Sequence, residues 1–330
     1  MKVAIVYNYQ SRAVINLFGV PSGESYGIQT IQLIQSALES GGHQVRSFEG
    51  DKEIIHKLED FMPPESFVED PGLVFNLSYG IQGKARYTHV PAILEMLGIP
   101  YVGSSPYAHA IALDKVLTKI LLLQKGLPTP RFMVVEEPGL TPIEELNYPM
   151  ILKPKDEARS LGLMIVENEE QFLAGVAKIT ERFKTQVLAE EYIDGREISV
   201  GLIGNKPVIP LPPVELIFGE GPAIYTYEDK IKQSGRTITK CCPASLQSEQ
   251  LTLIHELAVK AFNALQCYDC ARIDFRLDQL GQPYILEVNS MASLEPDSSF
   301  AFAAKYAGLS YRDLINRLIE FAAERYAFAT

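Results

Sequence analysis

Long apolar runs are missing from this chain of 330 residues. None approaches the roughly 18–20 consecutive apolar residues that a membrane-spanning helix needs, so no membrane partner is expected. A surplus of positive charge is missing too: 30 Lys and Arg stand against 41 Asp and Glu, a formal net charge of −11. Without a basic footprint a nucleic-acid partner is not expected, although local basic residues can still hold a small anionic ligand. Cysteine is scarce, at Cys241, Cys242, Cys267 and Cys270. Zinc ligation by Cys267 and Cys270 together with the adjacent pair would need neighbouring ligands, and no second C-x-x-C is present. Reduced, small packing residues are the expected role of Cys267 and Cys270. Internal repeats and low-complexity segments are absent. The opening MKVAIVYNY is a short apolar run interrupted at Asn8, which reads as a first strand rather than a signal peptide, and the default location is the cytoplasm.

What is there is ordinary for a globular protein, 47% hydrophobic and 22% charged. The length exceeds what one simple core organises, so several domains are expected. Strands at Lys2–Tyr7, Gln44–Phe48, Leu73–Leu77 and Ile99–Ser105 alternate with helices at Tyr26–Glu39 and Pro91–Leu97. That order predicts an α/β domain over residues 1–110 with a doubly wound parallel sheet. In such sheets ligands gather at the carboxyl ends of the strands, here Tyr7–Tyr9, Asn76–Gly83 and Gly103–Ser105. Residues 111–198 read as an α+β unit. It has a helix over Ala112–Lys125, strands at Arg131–Val135, Met150–Pro154 and Leu163–Val166, a short helix at Pro142–Leu146 and a helix over Glu169–Arg182. A strand at Gln186–Tyr192 is then expected to turn at Asp194-Gly195 and return antiparallel over Glu197–Ile203. Residues 199–330 form the third unit. It starts proline-rich, carries a polar covering loop over Gly221–Cys242, and contains helices at Gln247–Leu265 and Tyr311–Phe328, the last expected to close this unit.

The chemistry centres on Ala271–Ser290. Period two gives strands Ala271–Leu277 and Pro283–Asn289 around a turn with Asp278 and Gly281. Arg272, Asp274 and Arg276 share one face, and Glu287 and Asn289 share a face of the return strand, so folding brings Asp274 close to Glu287 and Asn289. Two carboxylates and a carboxamide suit hard Mg2+, although the hairpin alone reads equally well as a half-exposed one with a solvated polar face. Lys115 opens a helix and Lys153 ends a strand before the polar loop Lys153–Leu163, which has a single glycine and is a weak phosphate cradle. Glu190, Glu191 and Ile193 precede a tight turn, where acceptors can meet an adenine amino group and ribose hydroxyls. Lys230 lies in the covering loop.

In this order Leu94–Ser104 (LEMLGIPYVGS), Asp114-Lys115, Leu127–Pro130 (LPTP), Leu152–Pro154 (LKP), Glu190–Glu197 (EEYIDGRE), Tyr225–Lys230 (YTYEDK), Cys242–Leu246 (CPASL), Ala271–Phe275 (ARIDF) and Leu286–Ser290 (LEVNS) run along the chain. This order resembles the ATP-grasp ligases of the D-alanine–D-alanine ligase family over essentially the whole chain. The resemblance implies an ATP-grasp fold behind the amino-terminal α/β domain, and an ADP-forming joining of a carboxylate to an amine through an acyl phosphate. By that resemblance Asp274, Glu287 and Asn289 hold two Mg2+ ions, or Mn2+, that bridge the ATP phosphates. Lys115 and Lys153 contact phosphates and the adenine pocket, and Lys230 the γ-phosphate. Glu190, Glu191 and the Ile193 backbone serve the adenine side and Glu197 the ribose. Arg272 stabilises the oxyanion, Ser298 grips the acceptor carboxylate, and a homodimer is the family's habit.

Departures from the family fall on the first-substrate side. The usual H-G-x-x-G-E-D-G is replaced by Asn76–His89 (NLSYGIQGKARYTH), with Lys84 and Arg86 in place of its histidine and acidic pair. The G-S-S-x-G core becomes Ala158–Gly162, with Arg159 at its first serine. Ile231 stands for a tyrosine, and Asn289–Ser293 replaces N-T-x-P-G. The gain of Arg159, Lys84 and Arg86 suggests a first substrate with extra negative charge or no ammonium; alternatively these residues face solvent or bind phosphate, and Arg159 joins Arg272 and Lys230 in the catalytic set. An authentic D-alanine–D-alanine ligase, or a nucleotide-binding module that has lost catalysis, are the rival expectations.

Overall fold

The computed structural model describes residues 1–9, 24–64, 71–136, 146–221, 223–230 and 233–327. Residues 142–145 of the helix expected at Pro142–Leu146 and Ile231 lie outside them, as does Phe328.

A first sheet is built from β1 (Lys2–Tyr7), β2 (Gln44–Glu49), β3 (Gly72–Asn76) and β4 (Tyr101–Val102), all parallel in the order β2-β1-β3-β4. Its helices are α1 (Ile28–Ser40), α2 (Ile54–Phe61) and α3 (His89–Leu97). Alternation along β1 feeds two cores. Val3 and Ile5 pack with Ile31, Ile34 and Leu38 of α1, while Ala4 and Val6 pack with Ile54 and Leu58 of α2 and Leu94 of α3. The sheet is therefore covered on both faces, as a doubly wound sheet requires.

The expected helix over Ala112–Lys125 is two helices, α4 (Pro106–Leu113) and α5 (Lys115–Gln124). Asp114 separates them, because its carboxylate caps α5 by accepting from the backbone N–H of Val116 and Leu117 at 3.0 and 3.1 Å. A second sheet, β5 (Phe132–Val135), β6 (Met150–Pro154), β7 (Met164–Val166) and β8 (Val187–Glu191), has the order β5-β8-β6-β7 with α6 (Glu169–Phe183) on it.

The third sheet comprises β9 (Gly195–Ile203), β10 (Ile209–Pro210), β11 (Val214–Phe218), β12 (Ile238–Cys241), β13 (Cys270–Asp278) and β14 (Pro283–Asn289). It is accompanied by the single turn α7 (Tyr227–Lys230) and by α8 (Ser248–Ala264), α9 (Ser299–Tyr306) and α10 (Tyr311–Arg325). The return strand expected to pair with β8 is corrected: β9 leaves for the third sheet and pairs with β10, β11 and β13. The reason is local. A Cβ on Gly195 would sit 1.8 Å from the Leu277 carbonyl oxygen, so only glycine lets β9 start beside β13. Ile198, Val200 and Leu202 then enter the core beneath α8.

The strand expected to straddle 198/199 belongs wholly to the third sheet, and α5 packs through Leu122 into that sheet's core. Helix α10 also departs from expectation. Leu314, Ile315 and Leu318 share the core of α1 and β1, and Asn316 donates to the Ala37 carbonyl at 2.9 Å, so α10 ties the first unit to the third. Cys267 and Cys270 are buried in two different cores. Burial pushes the Cys267 thiol up to about 12, so both residues serve packing rather than ligation. No described helix is long and apolar enough to cross a membrane.

Candidate functional site

Strands of the second and third sheets and loop residues of the first unit line a cavity of about 1060 Å3. Its floor is the hairpin of β13 and β14, where Arg272 faces Asn289 and Asp274 faces Glu287 across the ladder. The register shifts by a bulge between Asp274 and Phe275. Arg272 donates from Nε and Nη2 to the two oxygens of Asp274 at 2.7 and 2.8 Å. The Asn289 amide nitrogen donates to Asp274 at 2.9 Å and to Glu287 at 3.4 Å. Burial raises the Asp274 carboxyl, only partly offset by Arg272. Burial acts in the same direction on Glu287 but is outweighed by Lys115, Lys230, Lys153 and Arg272, which hold it at about 2. Glu287 is thus an ionised carboxylate ringed by the lysines singled out in the sequence.

These residues fit a hard divalent cation. Two carboxylates face each other in register, one of them firmly ionised, and a half-turn of the Asn289 amide brings its oxygen to the same point. Among the described residues no three His, Cys, Asp or Glu side chains cluster as metal ligands, so here the third oxygen donor would be the Asn289 carboxamide.

The cations reach the cavity from separate elements. Lys115, first residue of α5, donates to the Glu157 carbonyl, and burial lowers its pKa. Lys153, near the end of β6, pairs with Glu190 of β8 at 2.6 Å. Lys230, at the end of α7, donates to Ser160 Oγ at 2.8 Å and lies over the Tyr225 ring; burial lowers its pKa too. The covering loop that carries it is narrower than expected. β11 and β12 pair at its base, and the Gly219 N–H donates to the Thr237 carbonyl at 2.9 Å.

On the loop after β6, Arg159 and Ser160 adopt left-handed φ values of 57° and 59°, and Gly162 79°. A Cβ at Gly162 would come within 2.7 Å of the Phe183 ring and 2.9 Å of Pro154, so the loop's single glycine sits where it is required. Arg159 is exposed at the cavity wall.

Glu197 of β9 lines the cavity, 3.4 Å from Arg276 Nη1. Burial pushes its carboxyl up to about 7, against the pull of Arg276. Glu191 borders the cavity but its carboxylate is held by Arg131 at 3.1 Å. The Ile193 carbonyl accepts from Arg276 Nε at 3.1 Å, so its oxygen is already engaged. Ser298 lines the cavity and caps α9, accepting from the Ala301 N–H at 3.1 Å.

Two expected substrate residues are not brought to the cavity. Lys84 is exposed and does not line it. Arg86 is 5% exposed, paired with Glu24 at 3.3 Å and Glu157 at 3.6 Å, and donates to the Asp156 carbonyl. Its charge is spent joining the first unit to the loop after β6. The strand ends at Tyr7–Tyr9 and Gly103 do not line the cavity either. The Gly103 N–H donates to Asp269, and Arg325 donates to the carbonyl oxygens of Tyr101 and Gly103.

Three residues were given no role from the sequence. Glu24 accepts from the Tyr87 hydroxyl at 2.7 Å and lines the cavity beside the stacked rings of Tyr26 and Tyr79. Its signal was an isolated acid just before α1. Arg276 shares the hairpin face with Arg272 and donates to Ile193 and Ala223. Lys119, one turn beyond Lys115 on the same helix face, pairs with Glu190 at 2.7 Å; the i,i+4 spacing was its signal.

With this geometry in view, comparison with known proteins gives a consistent result. Residues 121–320 match the family model described as D-ala D-ala ligase C-terminus. The chain is 42% identical to the uncharacterised protein y4sG of Sinorhizobium fredii, over 99% of this chain and 98% of that one. It is 30% identical to a D-alanine–D-alanine ligase of Moorella thermoacetica, over 93% of this chain and 98% of that one. The fold is similar to that of a Bacillus anthracis D-alanine–D-alanine ligase crystallised with ATP, with a TM-score of 0.75 at 21% identity, over 99% of this chain and 98% of that one.

Proposed function

This chain belongs to the D-alanine–D-alanine ligase family, and from that premise we propose that it is an ADP-forming, ATP-dependent ligase joining a carboxylate to an amine, with a first-substrate side of its own. The observation that carries the reading is the convergence of Lys115, Lys153 and Lys230 on Glu287, beside Asp274, Asn289 and Arg272, in one cavity.

The reaction asks for charge neutralisation above all. A carboxylate oxygen attacks the γ-phosphorus, ADP leaves, and an amine displaces phosphate from the acyl phosphate. Asp274, Glu287 and Asn289 would hold two Mg2+ ions, or Mn2+, which supply neutralisation of the phosphoryl oxygens. Lys115, Lys153 and Lys230 add positive charge from three sides. Arg272 uses Nε and Nη2 on Asp274 and has no partner for Nη1 among the described residues, which leaves that donor for the oxyanion. Glu197 and the wall from Glu191 to Ile193 would take the nucleoside, Glu190, whose two oxygens are held by Lys119 and Lys153, would brace Lys153 rather than read adenine, and Ser298 would take the acceptor's carboxylate. The clasp of Lys230 on Ser160 covers the cavity and would exclude water from the acyl phosphate.

Altered specificity now rests on Arg159, since Arg86 is committed to Glu24 and Glu157 and Lys84 lies elsewhere. Substrate profiling of Arg159→Ala tests it: selective loss with anionic first substrates supports the reading, and equal loss with all carboxylates removes it. The rest is tested by ATP-dependent condensation with amino-acid mixtures. A product from D-alanine alone returns the authentic D-alanine–D-alanine ligase, and ATP binding without turnover returns the lapsed binding module. A cytoplasmic homodimer completes the proposal; light scattering reads the assembly.

A further inference from the structure

Lys119 is 0% exposed and does not line the cavity, yet its ammonium is 2.7 Å from Glu190 Oε1. Glu190 is itself 2% exposed, and its other oxygen is 2.6 Å from Lys153, which does line the cavity. One buried carboxylate therefore serves two ammonium groups. Lys119 also donates to Thr129 Oγ1 at 2.6 Å, and Thr129 donates to the Ile285 carbonyl of β14 at 2.8 Å. Its charge is thus fixed to the strand that carries Glu287. Burying a lysine is costly, and a neutral side chain of similar length would fill the same space, so a packing role alone does not call for an ammonium here.

The charge balance does. A lone Glu190–Lys153 pair would be neutral and would offer little to an anionic ligand. With Lys119 as the second partner the trio keeps one positive charge, displayed at the cavity by Lys153. We propose that Lys119 is a positioning residue for the nucleotide: by sharing Glu190 it leaves the charge of Lys153 uncancelled towards the anionic phosphates. Burial pulls the Lys119 pKa down to about 8 against the hold of Glu190, which leaves it protonated at neutral pH. Nothing here alters the acceptor end of the cavity, so the effect is confined to the nucleotide. The inference rests on the ATP reading above.

The test is direct ATP binding by calorimetry to the full chain, wild type against Lys119→Met and Lys119→Gln, with ATP affinity compared with adenosine affinity. Gln removes the charge and keeps an amide donor on a side chain one atom shorter. Expected is a roughly ten-fold weaker ATP affinity in both variants with adenosine affinity unchanged, as loss of one screened unit charge implies. Unchanged ATP affinity overturns the proposal, as does parallel loss of ATP and adenosine. Failure of both variants to fold overturns it too, because it assigns Lys119 to the core. A wild type that binds no ATP instead overturns the ligase reading itself.

Discussion

The Lys230 ammonium donates to Ser160 Oγ at 2.8 Å, joining the loop between β11 and β12 to the loop after β6 across the mouth of the cavity. Among the described residues the Ser160 side chain supplies this one hydrogen bond, whereas Lys230 also supplies charge beside Glu287. Ser160→Ala should therefore lower kcat by about ten-fold, the lower end of the scale of one hydrogen bond to a charged group. Lys230→Met should lower it at least about a hundred-fold. Steady-state kinetics on both variants checks the order.

Arg272→Lys should separate geometry from charge. Lysine retains the positive charge but cannot hold both oxygens of Asp274 and still leave a fixed third donor. A loss of about a hundred-fold or more in kcat is expected, with ATP affinity changed far less. Single-turnover kinetics beside ATP titration reads the two effects separately.

Arg86→Gln should act on stability rather than on substrate choice. It removes the cation paired with Glu24 and Glu157 in a largely buried site, where breaking an ion pair costs about 3 kcal/mol. Thermal melting should show a clear fall in Tm, while the relative rates with different amino acids stay in the same order.

Glu197 gives the metal-free protein a pH signature. Its folded pKa of about 7 lies above the ordinary 4.5, so the folded state holds the proton more tightly than the unfolded state. The stability this contributes is complete below about pH 4.5 and is lost as pH rises through about 7. Glu197→Gln resembles the protonated form at every pH. Between pH 4.5 and 7 the variant should gain about 3 kcal/mol on wild type, measured by urea unfolding across the range. His109 works in the opposite sense: burial lowers it to about 3 from 6.5, so its contribution is lost as pH falls from 6.5. The two terms oppose each other between pH 4.5 and 6.5, which makes the difference between variant and wild type the quantity to read.

Much of this was legible where local patterning and local chemistry agree. Period two along Ala271–Leu277 and Pro283–Asn289 brought Asp274 close to Glu287 and Asn289, and the ladder sets Asp274 opposite Glu287 and Arg272 opposite Asn289. The parallel first sheet followed from its alternating elements. Partnership across units was not legible. Whether β9 turned back on β8 depended on the space beside Leu277, and the target of α10 depended on which apolar face was left open. Arg86 carries a positive charge in any reading of the sequence, but its two acids come from residues 24 and 157, far along the chain. Lys119 was hidden for a similar reason: only the fold supplies the second lysine on Glu190 that gives it a meaning.

The most direct test of the ligase reading is mass spectrometry of wild type and Glu287→Gln incubated with ATP, Mg2+ and amino-acid mixtures. Expected for wild type is a condensed product formed in step with ADP, dependent on both ATP and Mg2+, and reduced at least about a thousand-fold in Glu287→Gln. ADP without any condensed product, or a product whose yield ignores the Glu287→Gln change, would contradict it.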